Sequence, residues 1–179
     1  MSDKMEKVLR FSQMIDGFIR RLGQAIAWLN ILLIINILIQ VILRYAFGKG
    51  MVWLEELQWH FFGVCIMVGI SYGMVTDSHI RLDIFQSKFT PKNKEVVEFL
   101  GNLFLVLPLV SILFVHGIDF VESAWRVSER SVSPLGLPFT WIIKSVVPIS
   151  MLLLILASVS RMLRSVVLIF PRNSHKDKI

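Results

Sequence analysis

From Ala25 to Leu43 the chain runs nineteen residues without a charge. As a helix this run is about 28 Å long at ~1.5 Å per residue, close to the ~30 Å hydrocarbon thickness of a bilayer. Three further runs have the same character: Glu56–Val75, uncharged after His60, the mostly apolar Val97–Gly117, and Trp141–Ser160. The chain is 55% hydrophobic over 179 residues, with a mean hydropathy of +0.67. A soluble domain of this size cannot bury that much apolar surface, so the excess faces lipid. The expected fold is an all-α integral membrane domain of four transmembrane helices, a single domain over residues 1–179.

The charge pattern supports the same conclusion. A net charge of +6 would suit nucleic acid, but the basic residues stand at the edges of apolar runs, where a protein meets anionic headgroups. Nucleic acid is therefore not an expected partner, and membrane lipids are. With the N-terminus inside, fourteen Lys and Arg fall on the cytoplasmic side and five on the outer side: Arg44, Lys49, Arg126, Arg130 and Lys144. The positive-inside rule then places both termini in the cytoplasm. Trp53, Trp59, Trp125 and Trp141 fall near the outer ends as an aromatic belt. The N-terminal seven residues are too charged for a typical signal peptide, so the first helix is expected to stay. The lone Cys65 sits in an apolar run, which excludes an internal disulfide or a thiolate cluster.

Two segments flank these spans. Val8, Phe11, Ile15, Phe18, Ile19 and Leu22 recur at helical spacing among Arg10, Gln13, Asp16, Arg20 and Arg21, which predicts an amphipathic helix over 8–22, lying along the cytoplasmic interface or leading into the first span. Residues 161–179 form a basic cytoplasmic tail, with Arg161 and Arg164 marking the membrane edge. Gly48-Lys49-Gly50 ends the first span, and Thr90-Pro91 offers an N-cap with proline at the first helical position. The third helix is expected to run from Pro91 to about Val127, and Pro108 and Pro148 to kink packed helices.

Polar residues in and near the spans are few. Asn36, Gln40 and Arg44 stand four apart on the first span and form one stripe. Such groups are costly in hydrocarbon unless paired, so the stripe faces protein: another helix of this chain, another subunit, or a transport path. Glu55 and Glu56 open the second span, where carboxylates suit a helix N-terminus, with Arg44 as a natural counter-ion. Glu56, His60 and Gly63 share a face, and Gly69 and Gly73 give a small-residue pair that admits a close helix. Lys144 is expected to snorkel outward. His60 and His116 lie at comparable depth, the arrangement a bis-histidine haem anchor of a redox enzyme would use. No Asp, Glu, Lys, Arg or His stands near the midplane of any span, where ion-coupled transporters hold their sites. No nucleophile–base pair, phosphate loop or metal cluster is present either. The chain is not expected to be an enzyme or to carry a cofactor or metal.

The ordered set of motifs resembles the small permease subunit of tripartite ATP-independent periplasmic (TRAP) transporters. It comprises Arg44, Trp53-Leu54-Glu55-Glu56-Leu57, a glycine-bearing span, Ser78-His79-Ile80-Arg81-Leu82-Asp83, and Leu137-Pro138 with Trp141 and Pro148. Where relatives often carry a basic residue before the histidine, this chain has Thr76-Asp77-Ser78. The resemblance implies a division of labour. A periplasmic binding protein captures an organic anion and delivers it to a large elevator-type permease subunit, which moves it with sodium. The small subunit braces the static part of the large one in the bacterial inner membrane. On that reading this chain holds no substrate site. Asn36, Gln40, Arg44, Glu55, Glu56, His60, Gly69, Gly73, His79, Arg81 and Asp83 become structural or subunit-interface residues. Arg81 or His79 pairing with Asp83 would fix the second loop, and Glu129 and Arg130 become candidates for docking the binding protein. The alternatives are the haem-bearing anchor and a small self-assembling transporter or channel.

Overall fold

Local chemistry sets where each helix starts and stops. The computed structural model describes residues 3–76 and 90–169; His79, Arg81, Asp83 and the last ten residues of the tail lie outside the described residues. Helix α1 (Asp3–Ala27) and helix α2 (Leu29–Phe47) are parted only by Trp28. There the backbone tightens: Trp28 N–H donates to the Ala25 carbonyl at 3.3 Å and Ile31 N–H to the Trp28 carbonyl at 3.0 Å. The Asn30 side chain donates to the Ala27 carbonyl at 3.0 Å, occupying an acceptor that the break frees. Of the two expected placements, the amphipathic segment takes the second: it leads into the first span with only this local break between them. α2 ends on Gly48, whose φ of 63° a glycine adopts without steric cost, and Lys49 N–H closes the turn on the Leu43 carbonyl at 3.0 Å.

Helix α3 (Val52–Val75) begins four residues before Glu56, the expected start of its span. Helix α4 (Pro91–Gly101) opens on Thr90, whose side chain accepts the Asn93 N–H at 3.4 Å. A widened π turn (Asn102–Val106) then leads into helix α5 (Leu107–Arg126). Pro108 accounts for this turn. Proline has no N–H for the carbonyl one turn back and its ring crowds that turn, so an inserted residue just upstream relieves both. Helix α6 (Trp141–Ile169) carries Pro148 in its interior. Four stretches are long and apolar enough to cross a membrane: Met5–Phe47, Val52–Val75, Lys92–Arg126 and Trp141–Ile169. The fold is an all-α membrane bundle, without strands among the described residues.

The helices do not form a symmetric square. α6 packs on α5, α3, α1 and α4, whereas α2 lies at the edge, mainly against α3. Ile19, Val68, Leu153 and Ala157 join α1, α3 and α6 in one core, and Val110, Met151 and Leu154 join α5 to α6 in another. Small residues bring these helices close. Ser150, Ser158, Ser160 and Ser165 of α6 are fully buried, as are Ser12 of α1 and Ser71 of α3. Ser71 donates to the Ser150 carbonyl at 3.3 Å. Gly117 of α5 faces Pro148, and Gly23 of α1 faces Tyr72.

Candidate functional site

The polar residues gather at the two ends of the bundle. At the end where α2 meets α3, the stripe on α2 faces its neighbour within the chain. Asn36 donates to the Leu54 carbonyl at 3.2 Å and Gln40 to the Met51 carbonyl at 3.4 Å. They are the buried residues of α2, while Ile34, Leu38 and Ile42 on its far side are each more than half exposed. Of the three readings of the stripe, the geometry is that of helix–helix contact. Arg44, at the end of the stripe, approaches Glu55 at 3.7 Å with both side chains more than half exposed. An exposed pair at that distance contributes little to stability.

Glu56 does something else. It accepts the Leu137 backbone N–H at 2.6 Å and the Ser131 hydroxyl, both from the α5–α6 connection. Gly136 permits this approach, since a Cβ there would sit 2.5 Å from Glu56 Oε1 and against the Ser131 side chain. The connection is also tied from within. Glu129 pairs with Lys144 at 2.5 Å, and its carbonyl accepts both the N–H and the hydroxyl of Thr140 at 3.2 and 3.0 Å. Lys144 is 18% exposed and lies 4.1 Å from the Phe120 ring centroid. Lys144, expected to snorkel outward, reaches from the first turn of α6 to Glu129 in the connection, so its charge is met by a loop carboxylate. That pairing also turns Glu129 inward, and of the two proposed docking residues Arg130 is the exposed one.

His60 bonds through Nδ1 to the Glu56 carbonyl at 2.6 Å. His116 is exposed, 3.6 Å from Asp119 on its own helix. The two helices share no extended interface, since both pack on α6, and nothing in this arrangement favours haem. Gly69 was expected to admit a close helix, yet a Cβ there would meet nothing within 4 Å. Gly73, one turn on, is half-buried. The tight approach between helices falls at Gly23 instead, which sequence spacing did not single out.

The opposite end, where α1 and α4 meet α6, carries the strongest polar network, of which sequence reading took Arg161 and Arg164 as edge markers. Arg161 pairs with Glu98, Nε to Oε2 at 2.9 Å with a second contact through Nη2, and approaches Glu95 at 3.5 Å. All three side chains are under one-fifth exposed. Ser165 donates to Glu95 at 2.8 Å. On α1, Asp16 accepts from Ser160 at 2.6 Å and meets Arg164 at 3.2 Å, and the Ser12 and Ser160 hydroxyls lie 2.7 Å apart. The clue lay in the sequence, in the serines and paired basic residues at the end of an apolar helix.

Among the described residues no group of His, Cys, Asp and Glu is placed to hold a metal ion. Asn36, Gln40, Glu56, Asp16 and Arg161 each join one helix to another or to a loop. A family model of tripartite ATP-independent periplasmic transporters, DctQ component, matches residues 33–168. The chain belongs to this family. It is a small membrane subunit of a TRAP transporter, a transporter component and not an enzyme family member. No curated protein matches the chain. The DctQ match begins within α2, so α1 precedes the matched residues.

Proposed function

We propose that this DctQ-family chain is the static scaffold of its transporter, stabilising a large elevator-type permease subunit. That partner would import an organic anion, a carboxylate or related acid, with sodium, after delivery by a periplasmic binding protein. The observation that carries the reading is the contrast on α2. The buried side-chain amides of Asn36 and Gln40 donate to the first turn of α3 and its cap, while an apolar face with Ile34, Leu38 and Ile42 is left uncovered by the described residues. A bundle whose polar groups join its own helices has little with which to select a substrate, but it can resist tilt and translation beside a moving domain. In this reading the protein sits in the bacterial inner membrane with both termini cytoplasmic, so the α1 end faces the cytoplasm and the Glu56 end the periplasm.

The test is co-expression of the C-terminally tagged chain with its genomic neighbours, followed by purification in mild detergent. A large multi-helix membrane protein should co-elute in a fixed ratio, and transport should require both chains. Transport by the tagged chain alone would overturn the scaffold reading. A reporter fused to the C-terminus should be active only in its cytoplasmic form; activity in the periplasmic form would reverse the orientation.

A further inference from the structure

At the α1 end a polar cavity of about 400 Å³ opens between α1, the end of α3 and α6. That volume is within the ~300–1,000 Å³ that small-molecule sites occupy. Arg20, Arg164, Gln13 and Thr76 line it, with Asp16 at its wall. Arg20 is exposed and has no ion-pair partner among the described residues. Arg164 reaches Asp16 through Nη1, and Ser160 also donates to Asp16, so the one carboxylate is already engaged. Among the described lining residues, two guanidinium groups stand against one occupied carboxylate, a net positive charge.

The cavity does not stand alone. A second groove of about 870 Å³ runs along the other side of α1, and Gln13 and Gly17 line both. Its floor is apolar, with Phe11, Met14 and Phe18 each more than half exposed, and Lys7, Arg10 and Arg21 stand at its rim. Gly17 borders both, and a Cβ there would meet nothing within 4 Å, so this position is open space. A cationic polar cavity joined to an apolar groove with a basic rim matches an amphiphile with an anionic head. Guanidinium groups suit phosphate oxygens through paired N–H donors, and the groove suits an acyl chain.

We infer that this junction is a binding site for one anionic phospholipid, with its phosphodiester between Arg20 and Arg164 and an acyl chain over Phe11, Met14 and Phe18. The site is built largely from α1, outside the residues that the family model matches. It does not depend on the scaffold reading.

Native mass spectrometry of the full chain in neutral detergent tests it, with phosphatidylglycerol, phosphatidylethanolamine or inorganic phosphate added separately. The wild-type chain should retain one phosphatidylglycerol in preference to phosphatidylethanolamine. Arg20→Gln, which removes an exposed charge with no ion-pair partner among the described residues, should lower that retention about five-fold, with an unchanged melting curve. Gly17→Leu, which puts a bulky side chain where the cavity and the groove share a wall, should also lower it. Arg130→Gln, at the far end of the bundle, should retain lipid as the wild type does. Equal retention of the two lipids, wild-type retention by Arg20→Gln, or an equal loss in Arg130→Gln would each overturn the inference. Displacement of the lipid by millimolar inorganic phosphate would overturn it too, because the site would then recognise a bare anion.

Discussion

Glu56 of α3 accepts the backbone N–H of Leu137 at 2.6 Å, 81 positions further along the chain. With the Ser131 hydroxyl on its other oxygen, one carboxylate fastens the α5–α6 connection over the start of α3. Glu56→Ala removes both acceptors and leaves that loop unfastened. The melting temperature of the purified subunit should fall, and the loop should become a site of proteolysis. Glu55→Ala, which removes only an exposed pair with Arg44, should change neither. Equal effects of the two substitutions would show that Glu56 stabilises through helix-end charge alone.

Two glycines give opposite expectations. A Cβ on Gly23 would sit 2.5 Å from Tyr72 Cδ2 and 2.8 Å from Tyr72 Cβ. The Cβ of Tyr72 cannot move without its backbone, so Gly23→Ala should cost about 1–3 kcal/mol by overpacking α1 on α3. A Cβ on Gly69 meets open space, so Gly69→Ala should leave the isolated subunit as stable or slightly more so, as alanine favours helix. Thermal melts in detergent separate the two. A destabilised Gly69→Ala subunit would mean that another helix of this chain occupies that face.

What sequence reading recovered and what it missed divide by the range of the interaction. The Thr90 cap, the proline after it and the Gly48 turn are settled within a few residues, and each is legible from residue type and spacing. The partners of Glu56 lie 75 and 81 positions away, and those of Arg161 and Ser160 lie 63 to 148 positions away. No local spacing encodes such pairings. Glu56 was therefore assigned to the helix end and to Arg44, and Arg161 and Arg164 to the membrane edge. The stripe of Asn36, Gln40 and Arg44 was legible as a face, because four-residue spacing fixes that, but the neighbour it met required the fold.

Ser160 is fully buried and joins α6 to α1 through Ser12 and Asp16. Ser160→Ala deletes the hydrogen bonds and should cost about 1 kcal/mol. Ser160→Val adds bulk where none fits and should cost more, about 1–3 kcal/mol. Because this contact holds α1 on the bundle, the valine variant should also speed tryptic cleavage after Arg20 and Arg21, which are exposed on α1. Cleavage at the wild-type rate in both variants would show that Ile19 and its apolar neighbours hold α1 unaided.

Arg161 is 11% exposed between Glu98 at 14% and Glu95 at 18%. Removing one member of such a buried cluster is worse than removing all of it, because the remaining charges lose their partner and stay desolvated. Arg161→Ala should therefore destabilise the subunit by about 3–5 kcal/mol. Arg161→Lys should restore only part of this, since an ammonium cannot reproduce the two-pronged contact with Glu98. The combination Arg161→Met with Glu95→Gln and Glu98→Gln removes every charge while keeping the volume, and it should lie closer to wild type than Arg161→Ala does. The order of melting temperatures, wild type above the triple variant above the alanine variant, is the expected outcome. A triple variant no better than Arg161→Ala would show that the ion pairs themselves, and not the avoidance of stranded charge, hold α4 against α6.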